Sequence, residues 1–408
     1  MRKHRLSYLV GAALLLGGIG GAQAQTAKYP DPGISDTEIV LGSSYPFSGP
    51  GAAYGVVSEG AQAYFNLINE RGGIDGRKIR SILLDDAYQP SKVVTNVRQM
   101  VERDQVFAIF NIGGTAHNLA VLSYINQKKV PQLYINTGAV VFGDTPEKNP
   151  WTLIGIPSYA SEAAAFVRYL EKVKPDAKIG VLYQSDAFGQ DLLKSFEDAL
   201  KGTKLNLVAK ESYNPTEPSV DSQVSKLERS GANVFVSFTI PKFASQAIRR
   251  VAELNWKPLQ LLTSVSASTE LVLKPAGLDA SQGIVSTAFL KDPTDPKFAK
   301  DPAVLEYEAA LKKSFPNANP NDPLRIRGWA LAQVMVKALQ DMKTPTRAGL
   351  MAAATNMDAE LPMFLPGIRI VTSANDFFPI EQLTIEKFEG DRWVLQGDPI
   401  DTRKPVKE

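Results

Sequence analysis

The sequence of residues 39–86, IVLGSSYPFSGPGAAYGVVSEGAQAYFNLINERGGIDGRKIRSILLDD, predicts the fold of the whole chain. Its first residues form a short apolar run that ends at Gly42, which is typical of a buried parallel strand. A glycine-rich loop follows, and apolar residues then recur at helical spacing up to Gly72 and Gly73, where a helix is expected to end. The apolar run 79–84 predicts the next strand. In an open parallel α/β sheet ligands bind beyond the carboxyl ends of the strands, so we expect a ligand at the loop 43–55.

The amino terminus has the pattern of an export signal. Arg2, Lys3 and Arg5 precede an apolar stretch that is too short for a membrane span, and small residues around Ala24 form a cleavage pattern. We therefore predict a signal peptide over residues 1–24. Its removal would leave 42 basic residues against 43 acidic ones. A near-neutral balance gives no electrostatic footprint for nucleic acid, and we expect no such partner.

The chain contains no cysteine. This excludes disulfides, thiolate metal ligands, a cysteine nucleophile and a lipid-bearing cysteine. An exported chain without disulfides or a lipid anchor is expected in a bacterial periplasm. The remaining length, about 384 residues, is too long for one ordinary hydrophobic core, so two lobes are expected.

Alternating strand and helix patterns continue along the chain. Apolar runs ending in polar or glycine-containing loops alternate with helical patterns, which favours parallel sheets covered on both faces. We predict strands at 106–110, 133–135, 178–183, 205–212, 234–238 and 259–262, and helices at 90–103, 159–173, 190–201, 219–229, 242–254, 325–341 and 346–355. Residues 293–302 and 315–323 are predicted to be surface connections. The segment 367–396 is richer in strand signals.

With these elements in order, the chain resembles the solute-binding proteins of branched-chain amino acid-type ABC transporters. The matching motifs are Pro46-Phe-Ser-Gly-Pro50 with Tyr54-Gly55, Asn69-Glu-Arg-Gly-Gly-Ile-Asp-Gly-Arg77, Asp85-Asp86-Ala87 and Ser185-Asp-Ala-Phe-Gly-Gln-Asp191. The resemblance implies the α/β type I periplasmic binding fold, with two Rossmann-like lobes that have parallel-sheet cores and are joined by three crossovers. Residues 37–154 and 287–360 would form lobe 1, and residues 155–286 and 361–408 would form lobe 2.

The resemblance also implies a ligand site between the lobes. Backbone amides and hydroxyls of the first lobe would hold a carboxylate, aromatic side chains would pack on the solute, and two second-lobe loops would complete the site. The implied ligand-binding residues are Tyr45, Phe47, Ser48, Tyr54, Gly113, Gly114, Thr115, Asn136, Thr137, Gly138, Phe188, Thr239 and Ser264. The glycine, threonine and asparagine residues equally suit turns and helix caps, and a lone aromatic is more often part of a core. Asp86 is expected to brace its loop.

One feature departs from the amino acid-binding members of this family, which hold the ammonium group with an acidic residue after the strand at 259–262. Here the loop reads Thr263-Ser-Val-Ser-Ala-Ser268 and contains no acid. Glu270 is expected to open the next helix, and Asp186 is a possible substitute. Because a desolvated ammonium group needs a carboxylate partner, the loop favours a solute without an α-amino group. An apolar amino acid and an aromatic or aliphatic acid both remain candidates.

Enzyme motifs match poorly. Gly49, Gly51 and Gly55 are spaced one residue too widely for the dinucleotide fingerprint, and the chain has neither a phosphate-binding P-loop nor a Gly-x-Ser-x-Gly elbow. One histidine, His117, remains after removal of the signal, which is too few for a usual zinc site. We expect no enzyme activity, no cofactor and no metal.

The expected function is that of a periplasmic receptor that binds a small carboxylate-bearing solute and delivers it to an inner-membrane ABC permease. We expect it to be a monomer. A ligand-sensing module of a signalling system with the same fold is the alternative, and a Rossmann-type enzyme is less favoured.

Overall fold

The computed structural model describes residues 29–403 of the chain. The predicted signal peptide, residues 1–24, and the last five residues of the predicted second lobe lie outside this range. Within residues 29–403, no helix is long and apolar enough to cross a membrane.

The first lobe is built on a five-stranded parallel sheet with the strand order β2-β1-β3-β4-β5. The strands are β1 Glu38–Tyr45, β2 Lys78–Asp85, β3 Ala108–Phe110, β4 Gln132–Ile135 and β5 Thr152–Ile154. The helices between them are α1 Gly55–Glu70, α2 Pro90–Arg98 and α3 Thr115–Lys128. Pairing of β1 with β2 is in register from Glu38 with Lys78 to Tyr45 with Asp85, so the loops after both strands lie side by side.

The second lobe has a seven-stranded sheet with the order β14-β13-β10-β9-β8-β6-β7. Strands β6 Lys178–Gln184, β7 Asn206–Tyr213, β8 Val234–Phe238, β9 Leu259–Leu262 and β10 Val285–Ala288 are parallel. The helices here are α4 Tyr159–Val173, α5 Ala187–Leu200, α6 Asp221–Arg229, α7 Pro241–Glu253, α8 Lys274–Ala276 and α9 Leu278–Ser281.

The chain then returns to the first lobe. Helices α10 Pro302–Ser314, α11 Pro323–Asp341 and α12 Arg347–Ala354 follow, and α10 and α11 pack on α1. A small antiparallel pair, β11 Asp358–Ala359 and β12 Ile370–Val371, precedes the last two strands. These strands, β13 Gln382–Glu389 and β14 Arg392–Asp401, extend the second sheet in antiparallel fashion.

Three connections cross between the lobes. The first joins β5 to α4, the second leaves β10 at residues 288–292, and the third leads from β12 to β13. The second connection is bonded through its main chain to the loop between β11 and β12, since Lys291 N–H donates to the Met363 carbonyl at 2.9 Å and Leu365 N–H to that of Phe289 at 3.0 Å. The predicted two-lobed α/β architecture with three crossovers is therefore confirmed.

Most predicted elements are present, with small differences in their ends. Helix α4 and strands β8 and β9 have the predicted bounds, whereas the helix predicted over 90–103 is α2 followed by a wider π turn at Gln99–Arg103. Strand β10 and helix α10 were not predicted. The four residues of β10, VSTA, have too little apolar character to stand out, although all of them are at least partly buried.

Candidate functional site

A narrow cavity lies between the lobes, at the carboxyl ends of the parallel strands. It encloses about 20 Å³, which is little more than one water molecule requires. Both lobes contribute to its wall, which consists of Tyr54, Tyr88, Gly113, Gly114, Asn136, Tyr159, Phe188, Ile240 and Val265. We refer to this cavity as the cleft.

Two polar loops form the first-lobe side of the cleft. They follow β3 and β4, and the Gly114 N–H donates to the Asn136 carbonyl at 3.3 Å. The hydroxyl groups of Thr115 and Thr137 lie 2.7 Å apart and hydrogen-bond to each other. The side-chain oxygen of Asn136 is buried and has no hydrogen-bond partner among the described residues. The loops thus bring hydroxyl and amide groups to one place, where they can bind a polar group.

Gly114 gives this side of the cleft its shape. Its φ of +91° is in the region that favours glycine, and a Cβ atom would lie 2.4 Å from Nδ1 of His117. Gly114 is also the residue before helix α3, whose first turn has no side-chain cap. The free N–H groups of that turn and the helix dipole make this position favourable for an anionic group.

Aromatic rings form much of the remaining wall. The centroids of Tyr54 and Tyr88 are 6.4 Å apart, and those of Tyr159 and Phe188 are 5.7 Å apart with the rings edge to face. Burial raises the pKa of each of the three tyrosines well above its ordinary value, so their hydroxyls stay neutral. The wall of the cleft is therefore mostly apolar, with a few neutral polar groups, a composition that suits an apolar or aromatic group of a solute.

A strained turn holds Tyr88 in the cleft. Ala87 and Tyr88 have φ values of +50° and +59°, which residues other than glycine rarely adopt. Asp85 and Asp86 stabilise the turn by accepting bonds from the N–H groups of Ala87 and Tyr88, both at 2.9 Å. Such strain persists only where the surroundings enforce it, and it often marks a functional position. Asp86 braces this loop, since it also accepts a bond from Ser44 at 2.8 Å.

His117 lies behind Tyr88, with the two ring centroids 4.5 Å apart. The ring faces the main chain of Tyr88, but neither ring nitrogen makes a hydrogen bond of normal geometry within residues 29–403. Burial lowers the pKa of His117 to about 4, so the ring is neutral at pH 7. It acts as packing for the wall of the cleft and not as a charge.

On the second-lobe side, the start of α5 positions Phe188. Asp186 caps this helix by accepting a bond from the Phe188 N–H at 3.0 Å, and it also accepts one from Gln184 at 2.7 Å. The amide of Gln184 reaches across to the hydroxyl of Tyr88 at 3.4 Å, which joins the two lobes. Asp186 is thus already engaged as a helix cap.

Two buried charges flank the turn at Ser264. Glu162, from the first turn of α4, accepts the Ser264 N–H at 3.1 Å, while Nη2 of Arg327, from α11, donates to the Ser264 carbonyl at 2.8 Å. Burial lowers the pKa of Arg327, with the negative charge of Glu162 among the effects that oppose this. An acid does therefore lie beside the loop in which the sequence has none. Its charge faces a guanidinium on the other side of the same peptide.

The thirteen predicted site residues fall into two groups. Those that line the cleft are Tyr54, Gly113, Gly114, Asn136 and Phe188, while Thr115, Thr137 and Gly138 lie in the loops directly behind them. The other five lie elsewhere. The structure places Tyr45 in the core with its hydroxyl on Asn111, Phe47 at the surface, Ser48 on Asp85, Thr239 on Ser237, and Ser264 in the wall of a neighbouring cavity.

Four residues that line the cleft were not among the predicted ones: Tyr88, Tyr159, Ile240 and Val265. Tyr88 directly follows the Asp85-Asp86-Ala87 motif, so the motif was an available signal. Tyr159 follows the capping residue Ser158 at the start of α4, where the first crossover ends. Ile240 and Val265 adjoin the predicted positions 239 and 264.

Comparison with known proteins agrees with this fold. The family described as periplasmic binding protein matches residues 38–391. The chain belongs to that family. A Leu/Ile/Val-binding protein homolog 7 from Brucella suis biovar 1 (strain 1330) is 26% identical over 374 residues, which cover 88% of this chain and 88% of that relative.

Solved structures share the fold of this periplasmic binding protein. A branched chain amino acid ABC transporter protein from Thermus thermophilus with bound valine has a TM-score of 0.81 at 18% identity, covering 90% of this chain and 97% of that one. A fatty acid ABC transporter substrate-binding protein from Thermomonospora curvata has a TM-score of 0.75 at 21% identity, covering 91% and 94%. Proteins that share this fold are therefore described with different solutes, so the fold alone does not identify the solute.

Proposed function

We propose that this protein is a periplasmic receptor that binds a small, apolar, carboxylate-bearing solute in the cleft and delivers it to an ABC permease. The observation that carries the proposal is the contrast within the cleft wall, where polar loops and the start of α3 face aromatic rings. The polar loops would hold the carboxylate and the rings would pack on the apolar part. The protein would bind the solute without chemical change.

The charges near the cleft favour an aromatic or aliphatic acid over an amino acid. Among the described residues that line the cleft, none is acidic. Glu162 is close, and its Oε2 accepts bonds from the Ser264 N–H and the Thr287 hydroxyl, while Oε1 has no partner among the described residues and the group faces Arg327 across the Ser264 peptide. A solute ammonium group would have to compete with that guanidinium for the same charge, at a desolvation cost of several kcal/mol.

Export and delivery complete the proposal. The amino-terminal pattern would direct the chain to the periplasm, with cleavage near Ala24. Solute contacts from both lobes would favour the closed form, which would then dock on the permease as a monomer. Amino-terminal sequencing of the periplasmic fraction tests the export step, and transport by the reconstituted permease with and without the protein tests delivery.

The experiment that tests the solute class compares matched pairs of ligands. Protein stripped of bound solute by unfolding and refolding is titrated with leucine and 4-methylpentanoate, and with phenylalanine and 3-phenylpropanoate, while the thermal midpoint is followed. The members of each pair differ by the amino group alone. A ligand at a hundred times its Kd stabilises the folded state by about 2.7 kcal/mol. We expect the acids without an amino group to raise the midpoint more than the amino acids do.

A substitution in the polar loop links any response to the cleft. Thr115→Val removes a hydroxyl group with little change in volume, and we expect about a tenfold loss of affinity from one lost hydrogen bond to a charged group. Thr95→Val, on the exposed face of α2, is the matched control and should leave affinity unchanged. A stronger response to the amino acids would contradict the proposed solute class, and equal affinities of the two variants would contradict the proposed carboxylate site.

A further inference from the structure

A second cavity lies next to the cleft, on the side of the crossovers. This cavity, the hinge pocket, encloses about 40 Å³ between the second crossover, the turn at 264–268 and the first turns of α11. Ser264 lines the hinge pocket, whereas the next residue, Val265, lines the cleft. A single turn of the chain therefore separates the two cavities.

Arg327 brings unused hydrogen-bond donors to the hinge pocket. Its side chain is 3% exposed and its guanidinium carbon lies 6.0 Å from the ring centroid of Phe289, so the charge is surrounded by protein. Nη2 donates to the Ser264 carbonyl, but Nε and Nη1 have no partner among the described residues. Because a buried donor without a partner is costly, and a charged one more so, this arrangement points to an acceptor that occupies the pocket.

The acids that line the hinge pocket do not supply that acceptor. Glu386 lines the pocket from β13, and burial raises its pKa well above the ordinary value, which favours the neutral form of its carboxyl group. Burial also raises the pKa of Asp292, whose carboxylate accepts bonds from Thr294. Lys291 is paired with Asp301 at 2.6 Å. In its neutral form Glu386 can itself donate a hydrogen bond to a group in the pocket.

We propose that the hinge pocket binds a carboxylate group through the free guanidinium nitrogens of Arg327. A volume of about 40 Å³ exceeds the 10–15 Å³ needed by one water and suits a small acid group. Arg327 belongs to a first-lobe helix and Glu386 to a second-lobe strand. A carboxylate bound between them would contact both lobes and favour the closed form, in addition to any solute in the cleft.

The carboxylate has two possible sources. It can belong to a separate small acid, or it can be the far end of a solute that also occupies the cleft and extends past Ser264. Both use the same chemistry at Arg327. They differ in whether occupation of the hinge pocket depends on the cleft.

The experiment follows the Nε–H resonance of Arg327 in protein with ¹⁵N-labelled arginine, stripped of solute and held at constant ionic strength in chloride buffer. The probes are acetate and glutarate. Arg327→Lys assigns the resonance by its loss and keeps the positive charge. The thermal midpoint provides a second measurement, from which we expect at least a tenfold weaker acetate response in Arg327→Lys because the planar donor group is lost. Ala288→Val fills the pocket without altering Arg327 and should weaken the acetate response of the thermal midpoint to a similar extent. It replaces Arg327→Lys as the test variant if Arg327→Lys does not fold.

Each outcome has a distinct meaning. A saturable acetate shift that is equal in wild type and in Phe188→Ala, a cleft variant, supports a separate small acid. A shift by glutarate alone, lost in Phe188→Ala, supports a carboxylate carried by the cleft solute. An Arg327 resonance that neither probe moves would overturn the proposal. Failure of the proposed function would look different, since no solute of the matched pairs would bind while the acetate response remained.

Discussion

The two sides of the cleft are built in different ways. The first-lobe side consists of loops at the ends of strands. These loops present main-chain groups, hydroxyls and the start of a helix to the cleft, and their shape depends on Gly114. The second-lobe side presents Phe188, Ile240 and Val265, with charged side chains held behind the turn at Ser264.

This difference separates two tasks. A carboxylate is the same in every solute of the class, so loops of fixed backbone geometry suit it. The rest of the solute varies, and side chains that can change in size and polarity without altering the backbone suit that part. We infer that the first lobe provides affinity for the common group and that the second lobe, with Tyr54 and Tyr88, selects the solute.

The largest effect is expected from Glu162→Gln, which removes the charge opposite Arg327 but keeps the side-chain size. The buried guanidinium would lose the negative charge that opposes it across the Ser264 peptide, and an uncompensated buried charge typically costs about 3–5 kcal/mol of unfolding free energy. The measurement is urea denaturation. Glu171→Gln, on the same helix, is the control and should stay within about 0.5 kcal/mol of wild type. An unchanged midpoint in Glu162→Gln would show that the two charges do not depend on each other.

A pair of neighbouring glycines tests the first-lobe side. Gly114→Ala forces a side chain into a positive φ and against His117, so we expect about 2 kcal/mol of lost stability together with lost solute binding. At Gly113 a Cβ atom would meet nothing within 4 Å, although the residue lines the cleft. Gly113→Ala should therefore keep its stability and lose affinity. Calorimetry measures the stability of the two variants, and solute titration measures their affinity. Equal losses of stability in Gly114→Ala and Gly113→Ala would contradict the proposed role of Gly114.

Phe188→Ala tests the second-lobe side. Loss of a ring that packs on the solute should weaken binding by about 10- to 100-fold, which corresponds to the burial of one large apolar side chain. Stability should fall as well, because Phe188 is 4% exposed and belongs to the hydrophobic core, so affinity is measured at a temperature where the variant stays folded. Phe47→Ala is the matched control, since Phe47 is 45% exposed and does not line the cleft. A comparable loss of affinity in Phe47→Ala would indicate that the solute packs on Phe47 at the surface and not on Phe188 in the cleft.

These two sides also differ in how far the sequence predicts them. The first-lobe loops follow apolar strands directly, and Gly113, Gly114 and Asn136, which the family resemblance implies as ligand-binding residues, all line the cleft. Tyr45 belongs to the same motif, yet it is the last residue of β1, and its side chain turns into the core. Prediction of the motif did not extend to the direction of each side chain.

The charges around Ser264 could not be predicted in this way. Glu162 is 102 residues from Ser264 in the chain, and Arg327 is 63 residues away. The sequence gives no local sign that a first-turn glutamate of α4 and a second-turn arginine of α11 meet on one peptide. Their meeting depends on how the two lobes pack, which a pattern of strands and helices does not specify.

The smallest expected effect concerns Asp191, which joins the two sides of the cleft at its rim. Asp191 lies in α5 of the second lobe and accepts the N–H of Val140, in the first lobe, at 3.3 Å. Burial raises its pKa to about 6, and Asp144 nearby adds to this. Opening of the lobes would expose the carboxyl group and return its pKa toward 3.8, so the closed form binds the proton more tightly.

Acid should therefore favour closure. As the pH falls from 7.5 to 5.5, through the pKa of about 6, we expect solute affinity to rise by about three- to fourfold. A solute carboxyl group remains mostly ionised over this range. Asp191→Asn should flatten the dependence, whereas Asp198→Asn, an exposed position on the same helix, should preserve it. If Asp191→Asn keeps the wild-type pH profile, the contact between Asp191 and Val140 does not control closure, and the bond of Gln184 to Tyr88 and the solute itself hold the two sides of the cleft together.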